Sequence, residues 1–275
     1  SGYVQQWHAA LRHAVGSSLS VEVAYVGSQI TRVGLPDTNI NQLTVEQLAL
    51  GPELLRRVPN PYADTVPPSS SVGGDTIPVA QLLRPYPEYA TVSLYRNNTG
   101  TTNYHGIEFR FDHRPWDGLQ YGISYTRSRL MDDASSVFDA AVSTGPVASY
   151  PVADSFNPTL ERDVSNGDIP HAFVASLVWE VPFGSTRSRP RTSLAGVLLN
   201  DWTVTAVVRL QSGLPLAVTQ ATNHNAFAGF GTQRPNLHRD PSLPDEERTV
   251  ERWFDASAFS EAAPFTLGNS SRNPV

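Results

Sequence analysis

The sequence predicts an all-β fold of antiparallel hairpins, and three observations lead to this prediction. Apolar and polar residues alternate strictly over several short stretches, which is typical of strands whose two faces meet different surroundings. Short turn sequences join these stretches in pairs. Long segments rich in Pro, Gly, Ser and Asn separate the pairs, at residues 30–102, 130–168 and 220–275. We therefore expect about six strands, arranged as three hairpins.

The first hairpin is expected over about residues 3–27. Its first strand carries apolar residues at alternate positions, as does the strand after the turn at Val15-Gly16-Ser17-Ser18. The apolar positions are Trp7, Ala9 and Leu11, then Leu19, Val21, Val23 and Tyr25. Ser20 and Glu22 mark the other face as polar.

The second hairpin, expected over about residues 103–129, has the clearest pattern. Its apolar face carries Ile107, Phe109 and Phe111, followed by Leu119, Tyr121, Ile123 and Tyr125. Between the two strands stands Arg114-Pro115-Trp116-Asp117-Gly118, a turn sequence of Pro and Asp-Gly character. One face of this hairpin is apolar and the other is polar.

The third hairpin is expected over about residues 171–219. The apolar positions are Phe173, Ala175, Leu177 and Trp179, then Trp202, Val204, Ala206, Val208 and Leu210. A connection that begins at Pro182-Phe183-Gly184 joins the two strands. Ser212-Gly213 is interpreted as a bulge, after which Leu216 and Val218 continue the strand.

The alternation of short turns with long loops is typical of outer-membrane barrels. Compact soluble domains rarely contain structureless connections longer than about 12 to 15 residues. We therefore predict an antiparallel, up-and-down transmembrane β-barrel segment with long extracellular loops. Within the first loop, Val45, Leu48, Leu54 and Leu55 predict a short helix at about residues 44–57 that packs against that loop. Barrels need at least about eight strands to close, so six strands indicate part of a larger barrel, or strands that the pattern does not reveal.

Composition narrows the functional classes. The chain has 275 residues, and its 20 Lys+Arg and 26 Asp+Glu give a net charge of −6, which argues against a nucleic-acid partner. No stretch approaches the roughly 18 to 20 apolar residues of a membrane-spanning helix. The chain contains no Cys and no Lys, which excludes disulfides, thiolate metal sites and lysine chemistry.

A series of short phrases in order resembles the barrel domain of Oar-like TonB-dependent receptors. They include Ala24-Tyr25-Val26-Gly27-Ser28, Arg84-Pro85-Tyr86-Pro87-Glu88-Tyr89, Asn103-Tyr104-His105-Gly106, Asp168-Ile169-Pro170-His171, Gln211-Ser212-Gly213-Leu214-Pro215 and Gln233-Arg234-Pro235-Asn236. The resemblance spans nearly the whole chain. It implies a 22-stranded outer-membrane barrel, plugged by a separate N-terminal domain and energised through the TonB protein.

The resemblance also implies partners: outer-membrane lipid, the remaining barrel strands and the plug domain of the same receptor, and TonB through the N-terminal part. No plug domain, TonB-box segment or carboxypeptidase-regulatory-like extension is recognisable in the 275 residues. We therefore expect an internal portion of the barrel, near its C-terminal half.

Two sets of side chains are the candidate functional residues. A polar set is expected to line the lumen or contact a plug, although charges that merely pair across strands would give the same pattern: Glu108, Arg110, Asp112, Gln120, Thr126, Arg209 and Gln211. An aromatic set includes candidates for the girdles at the two membrane interfaces: Trp7, Tyr25, Phe111, Tyr121, Tyr125, Trp179 and Trp202.

Metal and catalytic sites are not expected, and no cofactor is predicted. His8 and His13 fall on opposite strand faces, and His105 and His113 lie at opposite strand ends, about 26 Å apart at about 3.3 Å per residue. The acidic residues Asp132, Asp133, Asp139, Asp154 and Asp163 lack the regular spacing of a calcium loop. No nucleophile elbow or zinc-protease motif is present, so enzymatic activity is not expected.

Two alternatives to the receptor remain open. The first is a non-transporting surface barrel whose loops have structural or adhesive roles. The second is a soluble β-sandwich binding module, in which the aromatic residues are buried between two sheets. Accessibility of Tyr121 and Tyr125 to a membrane-phase probe separates a barrel from a sandwich, because a sandwich hides both side chains from it.

Overall fold

The computed structural model describes residues 2–35, 37–95, 97–133, 152–181 and 202–275. Six long strands form one antiparallel sheet in sequence order. We number them β1 (Tyr3–Val15), β2 (Leu19–Val33), β3 (Gly100–Trp116), β4 (Leu119–Asp132), β5 (His171–Glu180) and β6 (Thr203–Gln211). The predicted six strands in three hairpins are confirmed, and the described sheet is open, with β1 and β6 at its edges.

Tight turns join the strands at one end of the sheet. Gly16 lies between β1 and β2 with φ 62°, and Gly118 lies between β3 and β4 with φ 91°. These left-handed conformations are strained for residues with a Cβ, so glycine permits turns this short. The connection between β5 and β6, which includes Pro182, Phe183 and Gly184, lies outside the described residues.

Several strand ends differ from the prediction. β2 continues to Val33 and pairs with Gly100 at the start of β3, so the first two hairpins are longer than expected. The predicted continuation of the last strand to residue 219 is wrong, because β6 ends at Gln211. Pro215 has no N–H to donate to a ladder, and the Leu216 N–H donates to the Val275 carbonyl instead, at 2.7 Å.

The β-sandwich alternative is also wrong. No second sheet covers the apolar face in the part of the chain that the structure describes, and the other sheets each contain two short strands. Ile107 remains 45% exposed and Phe109 47% exposed. The apolar face is therefore a surface and not half of a core.

The long segments contain short elements. Two-residue or three-residue strands pair as Thr38–Asn39 with Ser93–Leu94, Arg57–Pro59 with Thr76–Pro78, and Asn236–Leu237 with Phe259–Ser260, while Asp163–Val164 pairs with β4. The helices are α1 (Val45–Leu48), α2 (Val79–Leu82) and the 3-10 turns Gly51–Leu55, Pro158–Glu161, Ala226–Ala228, Asp245–Glu247 and Ala256–Ala258. None of the helices in the described residues is long and apolar enough to cross a membrane.

The helix predicted near residue 50 forms as two short pieces. Thr44 begins α1 with a capping box, in which its side chain accepts from Gln47 N–H while the Gln47 side chain accepts from Thr44 N–H. α1 ends at Leu48 with Ala49 as its C-cap, and Gly51, with φ 58°, is the first residue of the 3-10 turn that follows. Leu48 and Leu54 are fully buried, as expected for residues that pack against the loop.

The main buried apolar cluster lies in the long segments and not on the sheet. It joins residues of the first segment (Leu43, Leu48, Leu54 and Ala80) with residues of the third (Ala228 and Phe230). The sheet thus has one apolar and one polar face, and the buried core of the described residues is formed by the long segments.

Candidate functional site

The pairing register places the seven predicted aromatic residues on the apolar face. Partners in register share a face, and alternate residues of a strand face opposite sides. Tyr25 is opposite Ile107, Phe111 is opposite Ile123, and Phe173 is opposite Tyr125. Trp7, Tyr121, Trp179 and Trp202 fall on the same face by the same parity.

A row of rings crosses this face near the loop end of the strands. The Trp7 indole covers Gly27, where an added Cβ would stand 2.1 Å from the indole nitrogen. His105 stacks with Tyr25 and is bound through Nδ1 to the Tyr25 hydroxyl at 2.7 Å. On the neighbouring strands the Tyr125 hydroxyl is likewise 2.6 Å from His171 Nδ1. We call these rings the loop-side girdle.

A second row lies near the tight turns. His113 Nδ1 is 2.8 Å from the Tyr121 hydroxyl, and the two rings meet edge to face. Trp116 joins the row because a register irregularity after His113 brings it opposite Leu119. Trp179 is also paired with Leu119, from the other neighbouring strand. We call these rings the turn-side girdle.

The spacing of the two girdles fits a lipid bilayer. His105 and His113 belong to the same strand, and eight residues at about 3.3 Å each place them about 26 Å apart along it. A barrel strand tilted by about 40° converts this length to about 20 Å of depth, to which the rings add their own size. Barrels show an apolar band about 25 Å tall between aromatic girdles. The apolar face therefore has the height and border of a membrane-facing surface.

The seven predicted polar residues lie together on the opposite face. Glu108 is opposite Thr126, and the Arg110 guanidinium binds the Asp112 carboxylate at 2.9 Å. Gln120 follows by parity on β4, and Arg209 and Gln211 face the same side from β6. The Arg110–Asp112 pair is formed within one strand, whereas the alternative was pairing across strands. This face has the polarity of a barrel interior.

Beyond the loop-side girdle, the three long segments interlock into one body, which we call the loop layer. Gln42 of the first segment donates to Asp154 of the second at 2.8 Å. Arg234 of the third forms a buried ion pair with Glu161 of the second at 2.6 Å. The Arg84 guanidinium donates to the Phe227 carbonyl at 2.6 Å, which joins the first segment to the third.

Ion pairs also fasten the loop layer to the strand ends. Asp132, at the end of β4, forms a buried pair with Arg272, and the next residue, Asp133, pairs with Arg162 at 3.0 Å. Asp163 accepts a hydrogen bond from Asn273 N–H at 2.8 Å. Among the described residues, the acidic side chains considered for calcium are thus occupied by arginine or amide donors; Asp139 lies outside the described range.

Four groups of the loop layer, Glu46, Arg84, Asp240 and Asp255, have lowered pKa values. The pKa of Asp255 falls to about 2, because the Ser257 side chain and the Arg239 guanidinium donate hydrogen bonds to its carboxylate. The pKa of Arg84 is lowered by burial. The acidic run Asp245–Glu247 forms a 3-10 turn with two charge pairs, Arg248 with Asp245 at 3.1 Å and Arg252 with Glu247 at 3.7 Å.

The described residues contain no group of three or more His, Asp or Glu side chains that could hold a metal ion. Three histidines of the strands, His105, His113 and His171, instead pair with tyrosines at the girdles.

Sequence reasoning missed the role of these histidines. They interrupt the apolar alternation, so a hydropathy pattern alone does not assign them to the band. The signal that finds them is parity combined with position, because each occupies an apolar-face site at one border of the apolar band and lies near a tyrosine. Trp116 was missed because its face depends on the irregularity after His113.

The comparison with known protein families gives one match. The model of an outer membrane beta barrel domain matches residues 1–275. Neither the curated proteins nor the solved structures contain a match to this chain. This match spans the entire sequence. It agrees with four features of the structure: the two-faced antiparallel sheet, the tight turns at one end, the long loops at the other and the two aromatic girdles. The chain therefore belongs to the outer membrane β-barrel domain family and is located in the cell outer membrane.

Proposed function

We propose that this chain is the barrel portion of a TonB-dependent receptor that transports a ligand not yet identified. The observation that carries the proposal is the placement of the loop layer at one end of the sheet, beside a face lined by polar side chains. A gated transporter needs both parts, an ordered outer surface for recognition and a polar interior for passage.

The polar face supports a role beyond structure. A narrow, closed barrel fills its interior with its own side chains. Here Glu108 and Arg110 are exposed on the open sheet, and Asp112 is partly exposed. Such groups are available to contact a plug domain or a passing ligand. The ordered phrases shared with Oar-like receptors favour the plug, and they also favour TonB as the source of energy.

The first test is the intact mass of the native polypeptide, purified in detergent from the outer-membrane fraction of its source. A mass several times 30.0 kDa is expected, since the plug and further strands must belong to the same receptor. A native mass near 30.0 kDa would overturn the proposal.

The second test asks about energy coupling. The purified periplasmic domain of TonB serves as the probe and is titrated against the full-length protein in detergent. Saturable binding that is lost when the N-terminal part is removed is expected. Absence of binding to a correctly folded, heat-modifiable barrel would contradict TonB dependence.

A non-transporting surface barrel is the second candidate, and the buried ion pair between Arg234 and Glu161 favours it. Fixed loops suit a rigid adhesive surface. Deleting the energy-transducing partner separates the two functions. Adhesion to neighbouring cells or matrix would persist in that strain, whereas uptake would collapse.

A further inference from the structure

Two arginines stand on the apolar face at the level of the loop-side girdle, opposite the girdle histidines. Arg127 is opposite Ile107 and Arg129 is opposite His105, so both share the face that carries the aromatic rings. Both are exposed. Within the part of the chain that the structure describes, neither has a carboxylate at ion-pair distance: Arg127 contacts His171, and Arg129 donates to the Met131 sulfur at 3.3 Å.

These arginines line an open groove of about 640 Å³ between the sheet and the third long segment. The sheet side of the groove includes Tyr25 and Ile107, and the segment side includes Leu214 and Trp253. A third arginine, Arg248, stands with its guanidinium 5.9 Å from the centre of the Trp253 ring. The groove therefore has apolar walls and three arginines, and the buried Asp168 also lines it.

The position of the groove decides what fits it. Its apolar wall is continuous with the membrane-facing band, because Ile107 and Phe109 are successive apolar-face residues of β3. Arg127 and Arg129 lie two and four residues beyond Tyr125, about 7 and 13 Å along the strand. This is the depth of lipid headgroups and not of acyl chains, since aromatic girdles mark the interface.

We propose that Arg127 and Arg129 bind the phosphate of an anionic lipid in the leaflet on the loop side. Guanidinium groups bind phosphate through paired hydrogen bonds. Among the described residues neither side chain has a carboxylate at ion-pair distance, and the one carboxylate side chain that lines the groove, Asp168, is buried and accepts a hydrogen bond from the Leu130 N–H. The acyl chains of the same lipid lie against Ile107 and Phe109. A free anion would use only the arginines, whereas a lipid uses both parts of the groove.

The test measures lipid retention by the full-length protein. Wild type and R127Q/R129Q are reconstituted in nanodiscs of phosphatidylcholine with about a third lipid A. They are then re-extracted in neutral detergent, and the lipid A bound per protein is measured by native mass spectrometry. The matched control is R12Q/R209Q, which removes the same charge from the polar face of the same sheet.

Wild type and the control are expected to retain about one lipid A, and R127Q/R129Q at least tenfold less. All three proteins must show the band shift of a folded barrel on unheated gels. If R127Q/R129Q does not, R127K/R129K replaces it. For R127K/R129K a severalfold loss of retained lipid A is expected, because lysine cannot form the paired hydrogen bonds of a guanidinium group. Equal retention in folded wild type and R127Q/R129Q would overturn the proposal. Displacement of the lipid by millimolar inorganic phosphate would also overturn it, since that result assigns the arginines to a free anion. The proposal concerns a barrel wall and holds whether or not the barrel transports.

Discussion

The buried ion pair between Arg234 and Glu161 is expected to control how firmly the loop layer is closed. The exposed fractions of the two side chains are 9% and 7%, and their charged atoms are 2.6 Å apart. Arg234 also donates to the Leu160 carbonyl at 3.0 Å, and Glu161 accepts from the Ala153 N–H at 2.8 Å. Removing one partner leaves the other charge buried without compensation.

The variant R234M is expected to destabilise this part of the loop layer by about 3 to 5 kcal/mol. The variant E161Q keeps an oxygen for the Ala153 N–H but removes the charge that compensates Arg234, so its cost is of the same kind. In R234M/E161Q neither charge remains. The double variant is therefore expected to be less destabilised than the sum of the single variants, by about 2 kcal/mol.

Hydrogen exchange of the full-length protein in detergent, followed by mass spectrometry, measures this effect. A loss of about 3 kcal/mol corresponds to exchange about a hundredfold faster in peptides that contain residues 153–162. The control is R239M, which breaks the pair with Asp255 where Arg239 is 55% exposed, and which is expected to cost about 1 kcal/mol or less. Additive single variants, or an R234M effect no larger than that of R239M, would refute the reasoning.

Three further predictions concern packing, the girdle and pH. Leu54→Ala should destabilise the loop layer by about 2 to 5 kcal/mol. This loss should appear as faster amide hydrogen exchange in the loop layer, with an unchanged melting temperature of the barrel. Leu55→Ala, at a half-exposed position, should have little effect on either quantity. Gly27→Ala should lower that melting temperature, because its Cβ collides with the tryptophan ring that covers it; Gly213→Ala, where nothing lies within 4 Å, is the control. The hydrogen bonds that lower the pKa of Asp255 to about 2 stabilise the folded turn above pH 3.8, and this stabilisation is lost as the pH falls toward 2. Amide exchange of that turn should therefore accelerate between pH 3.8 and 2 relative to D255N. Identical pH profiles of exchange in the two proteins would contradict the assignment.

The sequence was sufficient to predict the strands, since alternation reports the two environments of each strand directly. It was less informative about where the strands end. Gln29 and Thr31 continue β2 beyond the girdle on the face that is apolar up to Tyr25, while Ile30 lies on the other face. The alternation therefore no longer matches that of the band, although pairing with β3 persists to Gly100.

The loop layer could not be predicted in the same way. Its contacts join residues far apart in the chain, such as Asn39 with Gly229 at a separation of 190 positions and Gln42 with Asp154 at 112. No local period records such contacts. The prediction of long polar connections was therefore accurate in composition, but it contained no information about the apolar cluster of Leu43 and Phe230 or about the buried ion pairs.

The edges of the sheet explain how this wall can exist in a membrane. β1 has 13 residues and β6 has 9, and among the described residues each strand is paired on one side only. About half of the backbone N–H and C=O groups of each therefore point away from the sheet, and each group left unpaired in lipid costs several kcal/mol. The total exceeds the roughly 5 to 15 kcal/mol by which a domain is stable, so in the membrane both edges must be paired with other strands.

Because six strands are fewer than the roughly eight that a barrel needs, the two edges cannot simply pair β1 with β6. The two faces described here thus become the outside and the inside of a closed wall only when that wall is completed by further strands.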